Sequence, residues 1–165
     1  MIELGRLLVA CMVLTACGSH DTQSFGTPDA AVVSFRADVM PIMQRACAVG
    51  GGSCHGPGAA AAKRPQLGDV GGAADPDAIY GSLVGVRSLE NPTMDQIAPG
   101  DTAGSFLMHK MDGDQANLAA QCAMGTLAAA YPRCGDGMPQ GYGMPLPEKD
   151  RALVRNWIAQ GALDN

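Results

Sequence analysis

Cys47, Cys54 and His55 are the residues of this 165-residue chain whose types and spacing point most directly to chemistry. A cysteine followed at once by a histidine, with a second cysteine upstream, is the residue set that fixes a c-type haem to a polypeptide. The two thiols add across the porphyrin vinyl groups, and the adjacent imidazole is thereby held under the iron as its proximal ligand. The usual spacing is C-x-x-C-H, whereas here Ala48-Val49-Gly50-Gly51-Gly52-Ser53 separates the cysteines. Three successive glycines reach backbone conformations closed to other residues, so the insert can loop out while both sulfurs still face the ring. The same residues admit attachment through Cys54 alone, or a plain Cys47–Cys54 disulfide. With a later cysteine their ligand types also suit zinc, although zinc thiolates are uncommon in an oxidising compartment.

The N-terminus predicts that compartment. After Arg6 comes the apolar run LLVACMVL at 7–14, the length of a signal-peptide core and too short to span a bilayer as a helix. Glu3 is atypical for the region before such a run. The run closes in Leu14-Thr15-Ala16-Cys17, which resembles the lipobox of bacterial lipoproteins. That resemblance implies a signal peptide over 1–16, cleavage before Cys17, and lipidation of its thiol and new amino group. Several acyl chains on one residue suffice for stable anchoring, where one chain is marginal. The expected location is therefore a bacterial membrane, facing the periplasm or the exterior.

Residues 17–28, containing the stretch GSHDTQSFGTP, are polar and rich in helix breakers and read as a flexible tether in which His20 has no role. The remainder, 29–165, is one domain's worth of chain. Once Cys11 leaves with the signal and Cys17 carries lipid, four cysteines remain, Cys47, Cys54, Cys122 and Cys134. Giving the first two to haem leaves Cys122 and Cys134 as a disulfide; the rival is two plain disulfides and no cofactor, a haem-free interaction module. Three Phe, three Tyr and one Trp against 22 Gly and 11 Pro make a thin apolar core, to which a buried porphyrin would add surface. A net charge of −5 excludes nucleic acid as an expected partner and favours a basic docking surface.

The elements that must position these residues are helical, and the expected fold class is all-α and loop-rich. Phe35, Val39, Ile42 and Met43 recur at helical spacing and predict a first helix running up to Cys47, with Pro41 kinking it or opening its second part. Asp75-Pro76 reads as an N-cap and first helical residue, followed by Ile79, Tyr80, Leu83 and Val84 on one face and ended at Gly85. A third helix is expected after Asp101, carrying Phe106, Leu107, Met108 and Met111. The alanine-rich residues 115–130 are a further candidate, with a disulfide as the alternative influence on their shape. Pro147 and Glu148 open a last helix with the stripe Leu153, Val154, Trp157 and Ile158, closed by Gly161. No alternating strand pattern of useful length occurs, and no internal repeat.

In order, the chain carries Cys54-His55-Gly56, then Tyr80 to Leu83 with Val84-Gly85-Val86, then Pro99-Gly100-Asp101 with Ser105-Phe106-Leu107, then Met138-Pro139, then Trp157-Ile158 with Gly161-Ala162. From Phe35 to Ala162 this order resembles the class I cytochrome c domains of bacterial exported proteins, especially lipoproteins of the myxobacterial and planctomycete kind. The resemblance implies a cytochrome c-like haem fold in which the first and last helices cross, with Trp157 packed under the haem edge or on the first helix. It implies His55 and Met138 as the two axial iron ligands, Met138 being followed by Pro145-Leu146 as in that family, with Met144 as the alternate. A haem c so ligated would carry single electrons between transient redox partners. If Met138 were displaced, the open iron would suit an enzyme acting on peroxide or small gases.

Other residues have plainer readings. His109 on a short helix reads as a surface or packing residue rather than a second histidine ligand. Lys110 reads as a solvated charge, with a haem propionate as the other partner considered. Met108, Met111 and Met124 read as core filling. Asp112-Gly113-Asp114 hints at calcium, yet the other ligands of a twelve-residue loop are missing.

Overall fold

Phe35 and Trp157, far apart in sequence, stack at a centroid distance of 5.2 Å, and Tyr80 meets Phe35 edge-on at 5.3 Å. These three rings bring the first, second and last helices to one centre. The computed structural model describes residues 31–48, 54–59, 64–69, 72–140 and 145–165, all within one unit. The expected signal peptide 1–16, the lipidation site Cys17, the tether 17–28 and Met144 lie outside the described residues.

A π-helical turn, Phe35–Val39, runs directly into α1, Met40–Ala46. Ser34 caps its start: the hydroxyl accepts from Ala37 N–H, and Asp38 returns the favour by accepting from Ser34 N–H at 2.8 Å. Pro41 sits in the first turn of α1, directly after the π-helical turn, so its missing N–H falls where the helix changes its hydrogen-bond register. The second helix, α2 at Pro76–Leu83, is capped by Asp75, whose carboxylate accepts from the N–H groups of Asp77 and Ala78. The third, α3 at Phe106–Asp112, begins later than Asp101, because Asp101 instead closes a turn by accepting from Gly104 N–H. Gly113, with φ of 78°, ends it in the left-handed conformation that glycine takes without steric penalty.

The alanine-rich stretch does not make a long helix. It forms a 3₁₀ turn, Gln115–Leu118, and a single α turn, α4 at Ala119–Cys122, before the chain continues as turns. The last helix, α5 at Glu148–Ala159, starts after Pro147 with Glu148 and Asp150 in its first turn, the favourable end for negative charge. Of the expected stripe, Val154, Trp157 and Ile158 are fully buried and Leu153 is half-buried against them. Among the described residues there is no strand, only isolated bridging pairs such as Val84 with Ile97, so the helical class expected from the sequence is what forms. No helix of the described residues is long and apolar enough to cross a membrane.

Polar bonds lock the aromatic centre from outside. Trp157 Nε1–H donates to Leu163 O at 2.9 Å, and Tyr80 O–H donates to Ala162 O at 2.8 Å. Asn165 accepts from the backbone N–H of Phe35 and Arg36, tying the C-terminal residues to the first helix. The buried Asp150 carboxylate pairs with Arg45 at 2.6 Å, joining α5 to the end of α1 close to Cys47. Each fully buried large side chain here contributes roughly 1.5–3 kcal/mol through removal of apolar surface from water. A second, smaller cluster lies apart from this one: Phe106 with the Cys122–Cys134 disulfide, flanked by Met94 and Leu118.

Candidate functional site

Helix α1 delivers Cys47 at its C-cap, where the residue's N–H closes the helix onto Met43 O at 2.8 Å. The Cys47 carbonyl then accepts from His55 N–H at 3.3 Å. That bond brings the two ends of the glycine-rich insert together, so the long spacing does not separate the first thiol from the imidazole. A short extended segment, 64–69, completes the clamp: Leu67 N–H donates to His55 O at 2.7 Å. It lies tight against α1, since a Cβ added at Gly68 would come within 2.9 Å of both Ala48 Cβ and Gln44 Cγ.

The His55 ring is fixed by the same segment. Its Nδ1 is 2.8 Å from Pro65 O, and because a carbonyl only accepts, Nδ1 carries the proton. In the neutral ring Nε2 is then an unprotonated lone-pair donor, and it takes no protein partner among the described residues. Burial holds the imidazolium form down and the ring's pKa below its usual value; the Pro65 bond opposes this, the Arg64 and Lys110 charges add to it, and Glu90 counters them. A neutral imidazole with Nδ1–H tied to a backbone oxygen is the state in which histidine binds a metal.

His55 lines a cavity of about 750 Å³, counted to its open mouth, whose wall also carries Cys47 and Met138. Leu67, Phe106 and Met111 supply apolar surface, while Lys110 and Glu90 bring charge to one side. Met138 is set there by its N–H, which donates to Lys110 O at 2.7 Å. Three of the four residues expected to engage a haem therefore share one space. Cys54 does not line it: the turn that aims His55 inward leaves the preceding side chain half-buried to one side. Cys54 is still close enough for its charge to act on Cys47.

Both of these thiols are free, not joined to each other. Burial pushes the Cys47 thiol up to about 12, against the opposing pull of Arg45, so it keeps its proton at neutral pH in the haem-free chain. Cys122 and Cys134 form the expected disulfide, with Cα atoms 5.3 Å apart. Neither is then free to complete a zinc site, and among the described residues no three His, Cys, Asp or Glu are placed to hold a bare metal ion.

The plainer readings fare unevenly. His109 has both ring nitrogens occupied, Nδ1 at 2.8 Å from Asp114 and Nε2 at 3.0 Å from Ala103 O, as a packing residue would. Asp112 is taken by Arg151 and Arg155, which leaves the calcium hint without its first ligand. Met108 and Met111 are buried, but Met124 is 64 % exposed and fills no core. Lys110 is the clear correction. It is buried, not solvated, and its ammonium donates to Glu90 at 2.8 Å and to Cys134 O at 2.6 Å. Its neighbours in sequence, His109 and Met111, give no sign of this, and neither does anything mark Pro65 as the partner of His55. No family model, curated protein or solved structure matches this chain.

Proposed function

We propose that this chain is a c-type cytochrome, an exported electron carrier and not an enzyme, anchored to a bacterial membrane through lipid on Cys17. The observation that carries the reading is the His55 ring, with Nδ1–H held by Pro65 O and Nε2 left open beside a cavity that also carries Cys47 and Met138. The donor set fits a haem: a neutral imidazole, a thioether and the Cys47 thiol on a largely apolar wall, with Cys54 next to the imidazole in sequence, are the types used in cytochromes c. Bound there, haem c supplies a one-electron iron couple.

The chain's own residues do the rest. His55 and Met138 would hold the iron between them and leave it no place for a substrate, and Cys54 and Cys47 would hold the cofactor covalently against loss outside the cell. The apolar side chains Leu67, Phe106 and Met111 keep water from the metal's surroundings. A lipid on Cys17 confines the carrier to a surface and raises its local concentration near redox partners, which dock transiently through small interfaces.

The test is to make the full chain in a strain able to mature cytochromes c, denature it, stain for covalent haem, and weigh the peptides carrying Cys47 and Cys54. A haem-sized addition supports the reading, and the number of thioethers shows whether Cys47 takes part. Colourless protein with both thiols unmodified overturns it and leaves the haem-free, disulfide-stapled interaction module.

A further inference from the structure

The segment that brings Met138 to the cavity has little apolar packing of its own, so something else must fix its path. Among the residues around it, Lys110 reaches it at two points. Its backbone carbonyl accepts from Met138 N–H at 2.7 Å, and its ammonium donates to Cys134 O at 2.6 Å. The intervening backbone is unusual: Arg133, Cys134 and Gly135 have φ of 56°, 67° and 61°, three successive positive values of which two fall on residues whose side chains disfavour them. Such a path persists only where surrounding bonds over-determine it.

Those bonds are all present. The disulfide ties Cys134 to Cys122, Gln115 Nε2–H donates to Gly135 O at 3.2 Å, and Lys110 Nζ takes Cys134 O while Glu90 balances its charge. The fit is close, since a Cβ on Gly135 would lie 3.3 Å from Lys110 Nζ. The ammonium also stands 5.5 Å from the Phe106 ring centroid. Removing an ammonium from water is costly, and an apolar side chain of equal length would fill the same space without that cost. A buried lysine here therefore answers to something other than packing.

We infer that Lys110 is a positioning residue for the sixth iron ligand: gripping the chain at Cys134 and at Met138, it fixes where the Met138 thioether can sit. This rests on the haem reading above. A loosened loop leaves the thioether off the iron part of the time, and an added ligand then competes against a smaller bound fraction.

The experiment uses the matured full chain as wild type, Lys110→Met and Lys110→Arg. Three quantities are read: covalent haem per chain after denaturation, the far-red ferric band that reports a thioether–iron bond, and the affinity of the ferric protein for imidazole. Lys110→Met is expected to keep its covalent haem, lose most of the band, and bind imidazole about tenfold tighter, whereas Lys110→Arg, which keeps a donor cation, falls between. A Lys110→Met protein with haem, band and imidazole affinity all at wild-type level overturns the inference and leaves the cytochrome reading intact. Wild-type protein without haem overturns the cytochrome reading itself. Should Lys110→Met fail to fold, Lys110→Arg decides alone: retained haem with a weakened band and tighter imidazole binding supports the inference, and wild-type values of both overturn it.

Discussion

Around Trp157 the chain is held by apolar contact, while between Gln115 and Met138 it is held by one covalent bond and a few buried polar ones. The first region buries Phe35, Ile79, Leu83, Val154 and Ile158 in one cluster with Trp157, whose indole N–H bonds out to Leu163 O. The second has a small cluster of Phe106 and the disulfide, beside the buried Lys110 paired with the half-buried Glu90 and positive-φ backbone at 133–135. Apolar contact is non-directional and tolerant, whereas the second kind of hold sets one geometry and fails when a single partner is removed. The proposed iron site is built from both: His55 depends on the end of α1, and Met138 on the polar region.

The largest effect expected from this contrast is at Trp157. Truncation by Trp157→Ala removes a fully buried ring touching three helices and should cost about 3–5 kcal/mol, enough to approach the whole stability of a domain of this size. Urea unfolding of the haem-free chain, followed by circular dichroism, measures it. A loss below about 1 kcal/mol would mean that the aromatic centre is not what holds the helices together.

The next effect belongs to the other region. Replacing both Cys122 and Cys134 by serine opens a loop with a sequence separation of 12 and should cost about 3 kcal/mol. Here the distribution matters more than the total. Amide exchange should quicken from Gln115 to Met138 while the Trp157 amide slows or quickens only with global stability. Equal loss of protection in both regions would show that they unfold as one and that the contrast is one of chemistry only.

A smaller effect tests a single cap. Asp75→Ala removes the acceptor for two N–H groups at the start of α2 and should cost about 1 kcal/mol, read from the urea midpoint. Because Tyr80 on that helix reaches Ala162 O, the loss should also quicken exchange at the C-terminal end of α5. An unchanged midpoint would place the stability of α2 wholly in its buried face.

What could be read from the sequence divides along the same line. The helices around Trp157 follow from a period of apolar residues and from local caps such as Asp75-Pro76 and Pro147-Glu148, all of which are local patterns. Cys47, His55 and Met138 were legible as ligand types, and the disulfide from counting cysteines. The side chains that steer them were not. Lys110 looks like any helical lysine until the fold sets Glu90 and Cys134 around it, and Pro65 acts through a backbone oxygen that any residue possesses. The alanine-rich run beyond Gln115 misleads for a related reason: propensity alone favours a helix, but the disulfide and the 133–135 backbone require a turning path.

The smallest effect concerns His55 and works through protons. Its pKa in the folded chain is depressed by burial first, with the Arg64 and Lys110 charges adding to that effect and the Pro65 bond and Glu90 opposing it. The unfolded chain, whose imidazole titrates near about 6.5, then takes up the proton before the folded one does. Folding is accordingly favoured above that pH, and the contribution is lost as pH falls through the lower folded value. In the haem-free protein the urea midpoint should decline from pH 7 towards pH 5 more steeply in the wild type than in His55→Asn, which has no proton to bind there. Parallel declines would mean that burial does not hold the imidazolium form down, and so that the ring is solvated and not enclosed at the cavity. Binding of a metal at Nε2 should widen the difference, because a ligated nitrogen takes no proton in the folded state while the free imidazole of the unfolded chain still does.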